Sequence, residues 1–131
     1  MLDANALIGV WEARSGAEPV KKLLQQAAAG EIRILISIIQ WGEVYYIAWR
    51  NHGLAAAEKV LQQIAGLPIH VVNTDSELTK LAASFRVRYH LPYADGFAAA
   101  LAHEQNATLV TGDRDFAPLE KNIRILWLAG R

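Results

Sequence analysis

Apolar side chains recur at helical spacing in six stretches of the chain and run together or alternate at strand spacing in five, and the two kinds interleave. Met1 and Leu2 read as the tail of a strand, after which Leu7, Ile8 and Trp11 share one face of a helix over residues 4–13. Gly16, Glu18 and Pro19 punctuate the chain; Val20, Leu23, Leu24 and Ala27 then mark a helix over 20–29, closed by Gly30. Ile32, Ile34 and Ile36 alternate within 31–37 with Leu35 also apolar, the pattern of a largely buried strand. Ser37 and Gln40 have the spacing of a capping box and predict a helix over 38–51, and a further helix spans 54–65 up to Gly66 and Pro68. A short strand over 69–72 follows. Thr74 with Glu77 makes a second capping box opening a helix to about residue 89, where Asp75 and Glu77 suit the positive end of the helix dipole. Residues 91–116 then read as a loop, a helix with Pro92 in its first position, a strand over 108–111 and a Gly112-Asp113 turn; a last strand covers 123–128. Strands alternating with helices predict an α/β fold: a mostly parallel sheet of four to five strands covered on both faces.

Composition narrows the picture. The 131 residues fit one domain, 1–131, with no linker, repeat or low-complexity segment. No apolar run reaches the ~18 residues of a membrane span, and the start shows no basic segment followed by an apolar core, so a soluble cytoplasmic protein without a membrane role is expected. Cysteine is absent, which excludes disulfides and thiolate metal sites. Lys and Arg balance Asp and Glu at 13 each, so nucleic acid must be bound locally if at all. Arg86, Arg88 and Arg114 are the candidates for phosphate contacts, each also readable as a solvated surface side chain. Trp41, Tyr45 and Trp49 form an i, i+4, i+8 stripe, readable as core or as a partner or dimer face.

The acids change the picture most. Asp3, Glu43 and Asp95 are each the lone charge in an apolar stretch of about ten residues, and Asp113 and Asp115 follow the strand over 108–111. Asp3 either caps the first helix or supplies a site, and Asp95 by itself could simply decorate a helix start. Together the five form a set whose burial and mutual repulsion call for a counter-charge. With no Cys, and no His at metal-ligand spacing, an all-carboxylate set points to Mg²⁺ or Mn²⁺ rather than zinc. Such ions serve phosphodiester hydrolysis by polarising the ester, activating water and stabilising the leaving oxygen. Asn5 and Thr111 are neutral groups able to orient a carboxylate or a water. No Gly-rich nucleotide loop is present, and the four His residues lie singly.

D-x-N at residues 3–5, W-G-E-V at 41–44, Y-A-D-G-F-A-A-A-L-A at 93–102 and A-T-L-V-T-G-D-R-D-F at 107–116 resemble, in order and interval, the PIN domain, and within it the VapC-type toxins of toxin–antitoxin pairs. The resemblance implies a three-layer α/β/α sandwich and a Mg²⁺-dependent endoribonuclease acting on an RNA substrate. It also implies restraint by a cognate antitoxin and a homodimer. Residue by residue it marks Asp3, Glu43, Asp95 and Asp113 as the acidic quartet, with Asp115 at a position acidic in some members. The chain departs from the family in two places. Ala4 stands where Thr or Ser is common, and only two residues precede Asp3, so either the natural start lies upstream of Met1 or the first strand is unusually short. Other readings are a PIN nuclease of RNA processing without an antitoxin, a receiver-like phosphoryl acceptor, and a binding module whose acids are caps. The receiver reading lacks its lysine, since the last strand leads only into Ala129, Gly130 and Arg131.

Overall fold

Three residues at the start of the chain hold the sheet together. In the computed structural model, which describes residues 1–128, β1 (Ile34–Ser37) pairs in parallel with β2 (Ile69–Val72), and β3 (Leu109–Thr111) with β4 (Ile125–Trp127). Residues 129–131, included in the expected domain, lie outside the described residues. Residues 1–3 run between the two pairs. The Leu2 N–H donates to the Leu35 carbonyl at 3.0 Å, the Val110 N–H to the Met1 carbonyl at 2.8 Å, and Leu2 forms a parallel bridge with Val110. The order across the sheet is therefore β2, β1, residues 1–3, β3, β4, with β1–β2, the Leu2–Val110 bridge and β3–β4 parallel.

Alternation along these lanes feeds two cores. Met1, Leu35 and Leu109 point into one, and their neighbours Leu2, Ile34, Ile36 and Val110 into the other. The second core is covered by α1 (Ala4–Trp11), α2 (Ala17–Ala28), α3 (Ile38–His52) and α4 (Leu54–Ala65). The first is covered by α5 (Ser76–Tyr89), α6 (Tyr93–Glu104) and a 3₁₀ helix (Arg114–Leu119) that buries Phe116 and Leu119. The result is a three-layer α/β/α sandwich.

Several boundaries differ from the sequence reading. The first helix stops at Trp11, since Ala13 takes a positive φ of 53°. β1 begins only at Ile34, and β4 shrinks to the three residues that three-residue β3 can pair. Pro92 is the cap of α6 rather than its first residue: its carbonyl accepts the Gly96 N–H at 3.1 Å. The Thr74–Glu77 box does not form. Asp75 caps α5 instead, accepting the Leu78 N–H at 2.8 Å, so the helix starts one residue later than the box predicts. Ser37 caps α3 as expected, but its Oγ accepts the Ile39 N–H at 3.1 Å rather than that of Gln40, and the Gln40 side chain turns elsewhere. The aromatic stripe is neither wholly core nor wholly surface. Trp41 and Tyr45 pack half-buried against the second core, while Trp49 is 49% exposed and its neighbour Tyr46 51%.

Candidate metal centre

The site is assembled at the carboxyl ends of adjacent lanes, where chains leave a parallel sheet. Asp3 follows the Leu2 bridge directly and does two things at once: its Oδ1 caps α1 by accepting the Ala6 N–H at 2.8 Å, and its Oδ2 accepts a hydrogen bond from the Thr111 hydroxyl at the end of β3. Thr111 Oγ1 in turn accepts the Asp113 N–H at 3.0 Å. Asp113 Oδ1 accepts the Asp115 N–H at 2.9 Å and so starts the 3₁₀ helix. A buried hydroxyl thus links the acid of one lane to the turn that carries two more.

The remaining acids come from helices on opposite faces of the sheet. Glu43 lies on α3, where Tyr46 donates to it at 3.4 Å. Asp95 lies in the first turn of α6, whose following residue approaches α5 closely: a Cβ at Gly96 would stand 2.7 Å from the Ala82 carbonyl oxygen. Carboxylate oxygens of Asp95, Asp113 and Asp115 lie within 4.8 Å of one another.

The electrostatics show the crowding. Burial, followed by the charges of Asp113, Glu43, Asp3 and Asp115, pushes the Asp95 carboxyl up to about 7. Burial first, and then Asp3, also raises Glu43 above the ordinary glutamate range. The chemistry of the donor set fits a hard divalent cation. Every ligand offered is oxygen, and one carboxylate oxygen from each member of the triad comes within 4.8 Å of the other two.

The other candidates divide. Asn5 is half-buried in the first turn of α1, and Thr111 makes two hydrogen bonds within the cluster. Arg86 donates to the Leu91 carbonyl at 2.9 Å and secures the loop into α6. Arg88 lies over the rings of Phe85 and Tyr89. Arg114, between two acids of the triad, rests over the Trp127 ring at 4.4 Å. Sequence reasoning missed Gln40, assigned there to a cap. It donates instead to the Ala94 carbonyl, beside Asp95, at 2.6 Å. The available signal was an amide one turn before Glu43 in an otherwise apolar run.

The sequence matches the PIN domain over residues 1–122. The chain belongs to the PIN domain family. Among curated proteins none matches it significantly in sequence. Solved PIN-like structures do match its fold. A toxin–antitoxin complex from Klebsiella pneumoniae has a chain 24% identical, with a TM-score of 0.67, covering 95% of this chain and 93% of that one. VapBC2 from Rickettsia felis, bound to a DNA fragment from its promoter, gives a TM-score of 0.76 at 19% identity over 98% and 97% of the two chains. VapC20 from Mycobacterium tuberculosis, a toxin cleaving the sarcin–ricin loop, gives 0.69 at 16% identity over 89% and 92%. In this PIN fold, Asp3, Glu43, Asp95, Asp113 and Asp115 are drawn from three elements and two strand ends to one place.

Proposed function

We propose that this PIN protein is a Mg²⁺- or Mn²⁺-dependent endoribonuclease and acts as the VapC-type toxin of a toxin–antitoxin pair. The observation that carries the reading is the convergence of four carboxylates on a fifth, Asp95, whose burial and whose neighbours' charges together push its carboxyl up to about 7. A fold tolerates that repulsion when a cation offsets it. Asp3, Glu43, Asp95 and Asp113 would hold the metal, with Asp115 as a fifth ligand. When bound, the ion supplies Lewis-acid stabilisation of phosphodiester oxygens. The protein's own part is to fix the carboxylates. Thr111 holds Asp3 and the Asp113 backbone, and the first turn of α6 holds Asp95.

The partner assignments are finer parts of the same proposal. The similarity to toxin–antitoxin complexes supports a cognate antitoxin in the cytoplasm. Exposed Tyr46, Trp49 and Leu54 offer apolar surface for an antitoxin or a second copy of the chain. Among the described residues no helix is long and apolar enough to cross a membrane. Arg114 stands beside the acids, where an RNA phosphate would approach.

The test is cleavage of a mixed cellular RNA pool by wild type and Asp95→Asn, each with Mg²⁺, Mn²⁺ or EDTA. Discrete cuts that need both the metal and Asp95 are expected. Equal cutting by the variant, or cutting in EDTA, would overturn the assignment. Wild-type protein whose melting temperature does not respond to Mn²⁺ would count against a metal centre altogether.

A further inference from the structure

Gln40 is 1% exposed on α3, one turn before Glu43. Its Nε2 donates to the Ala94 carbonyl of α6 at 2.6 Å and lies 3.5 Å from Glu43 Oε1. Its Oε1 is buried with no hydrogen-bond partner among the described residues. Leaving an amide carbonyl desolvated and unpaired is unfavourable, and methionine, of nearly the same length, would fill the space without that penalty. Position 40 therefore keeps an amide for what its NH₂ group does. Ala94 is covalently joined to Asp95, so this one group ties the peptide beside Asp95 to the carboxylate of Glu43 across the boundary between α3 and α6. On its other flank the same turn presses on α5, where Gly96 leaves no room for a side chain against Ala82. A turn held on both flanks has little freedom to rotate.

We propose that Gln40 is a positioning residue of the acidic site: by bridging Glu43 and Ala94 it sets the separation of Glu43 from Asp95, and thereby the geometry offered to a divalent cation. The inference rests on the metal centre proposed above. Groups that orient metal ligands change metal affinity about 10- to 100-fold when removed, without themselves touching the ion.

The experiment follows thermal unfolding through a Mn²⁺ titration for wild type, Gln40→Met, Gln40→Asn and Ile47→Ala. Methionine keeps the volume and loses the donor; asparagine keeps the amide and loses the reach, and serves if methionine prevents folding. Ile47→Ala loosens α3 at a buried position away from the bridge. Both Gln40 variants are expected to need about tenfold more Mn²⁺ for the half-maximal shift in melting temperature. Ile47→Ala should lower the metal-free melting temperature and leave the half-maximal concentration near that of wild type. Gln40 variants that respond to Mn²⁺ like wild type, or an Ile47→Ala shift of equal size, would overturn the positioning role while leaving the metal centre standing. A wild-type protein indifferent to Mn²⁺ would remove the centre and this inference together.

Discussion

Asp95 carries a conflict that its own helix cannot resolve. The positive end of α6 favours its charge, yet burial and four neighbouring carboxylates hold its proton up to about 7. A raised carboxyl pKa means that the folded state binds a proton the unfolded state has released between about pH 4 and 7, so metal-free stability is lost as pH rises through that window. Asp95→Asn removes the effect. At pH 7.5, without metal, the variant should be about 1–2 kcal/mol more stable than wild type, with a flatter dependence of melting temperature between pH 4.5 and 8; the unit conversion of ~1.4 kcal/mol per pKa step is reduced for relaxation around a partly exposed group. A variant that melts lower than wild type at pH 7.5 would show that the repulsion is not there. Thr111 has the opposite character, being fully buried and satisfied on both sides. Thr111→Val preserves shape but removes the hydrogen bonds to Asp3 Oδ2 and from the Asp113 N–H, and should cost about 2 kcal/mol in urea unfolding. Asp3 was readable as either a cap or a site residue; the structure shows the cap on Oδ1 and leaves Oδ2 facing the Thr111 hydroxyl.

At the scale of elements, the placement of α6 depends on a single missing methyl group. Gly96 faces the Ala82 backbone, and a Cβ there would sit 2.7 Å from a carbonyl oxygen that cannot move aside as a flexible side chain could. Gly96→Ala should therefore push α6 off α5, cost about 1–3 kcal/mol, and weaken the Mn²⁺-induced rise in melting temperature because Asp95 moves with its helix. An unchanged melting temperature would mean that the contact is looser than it stands. Nothing in the sequence pattern announced this contact, since glycine within a helical stretch shows only that something comes close. Helix α4 and strand β2 were legible to the residue, because turn residues bound them sharply. The 3₁₀ helix was not, since Arg114-Asp115-Phe116 lacks helical periodicity and is set by the Asp113 cap and by Phe116 entering the core.

Across the whole molecule, residues 1–3 join β1 to β3 and so couple the two cores, Met1 entering one and Leu2 the other. Leu2→Ala should lower stability by about 3 kcal/mol while unfolding stays a single transition, measured by urea denaturation with two probes; separate transitions would show that the cores are independent. The sequence by itself determined the α/β class, the near-continuous apolar lanes of a buried parallel sheet, and which acids were anomalous, because isolation in an apolar run and strand-helix alternation are local properties. Tertiary structure decided what those acids and their neighbours do. It brought Glu43 and Asp95 together from opposite faces of the sheet, turned Gln40 from a cap into a bridge, gave Thr111 its contact with Asp3, and sent Arg86 to the Leu91 carbonyl. Distances between groups far apart in the chain follow from packing and register, and those are fixed only when the two cores close on the sheet.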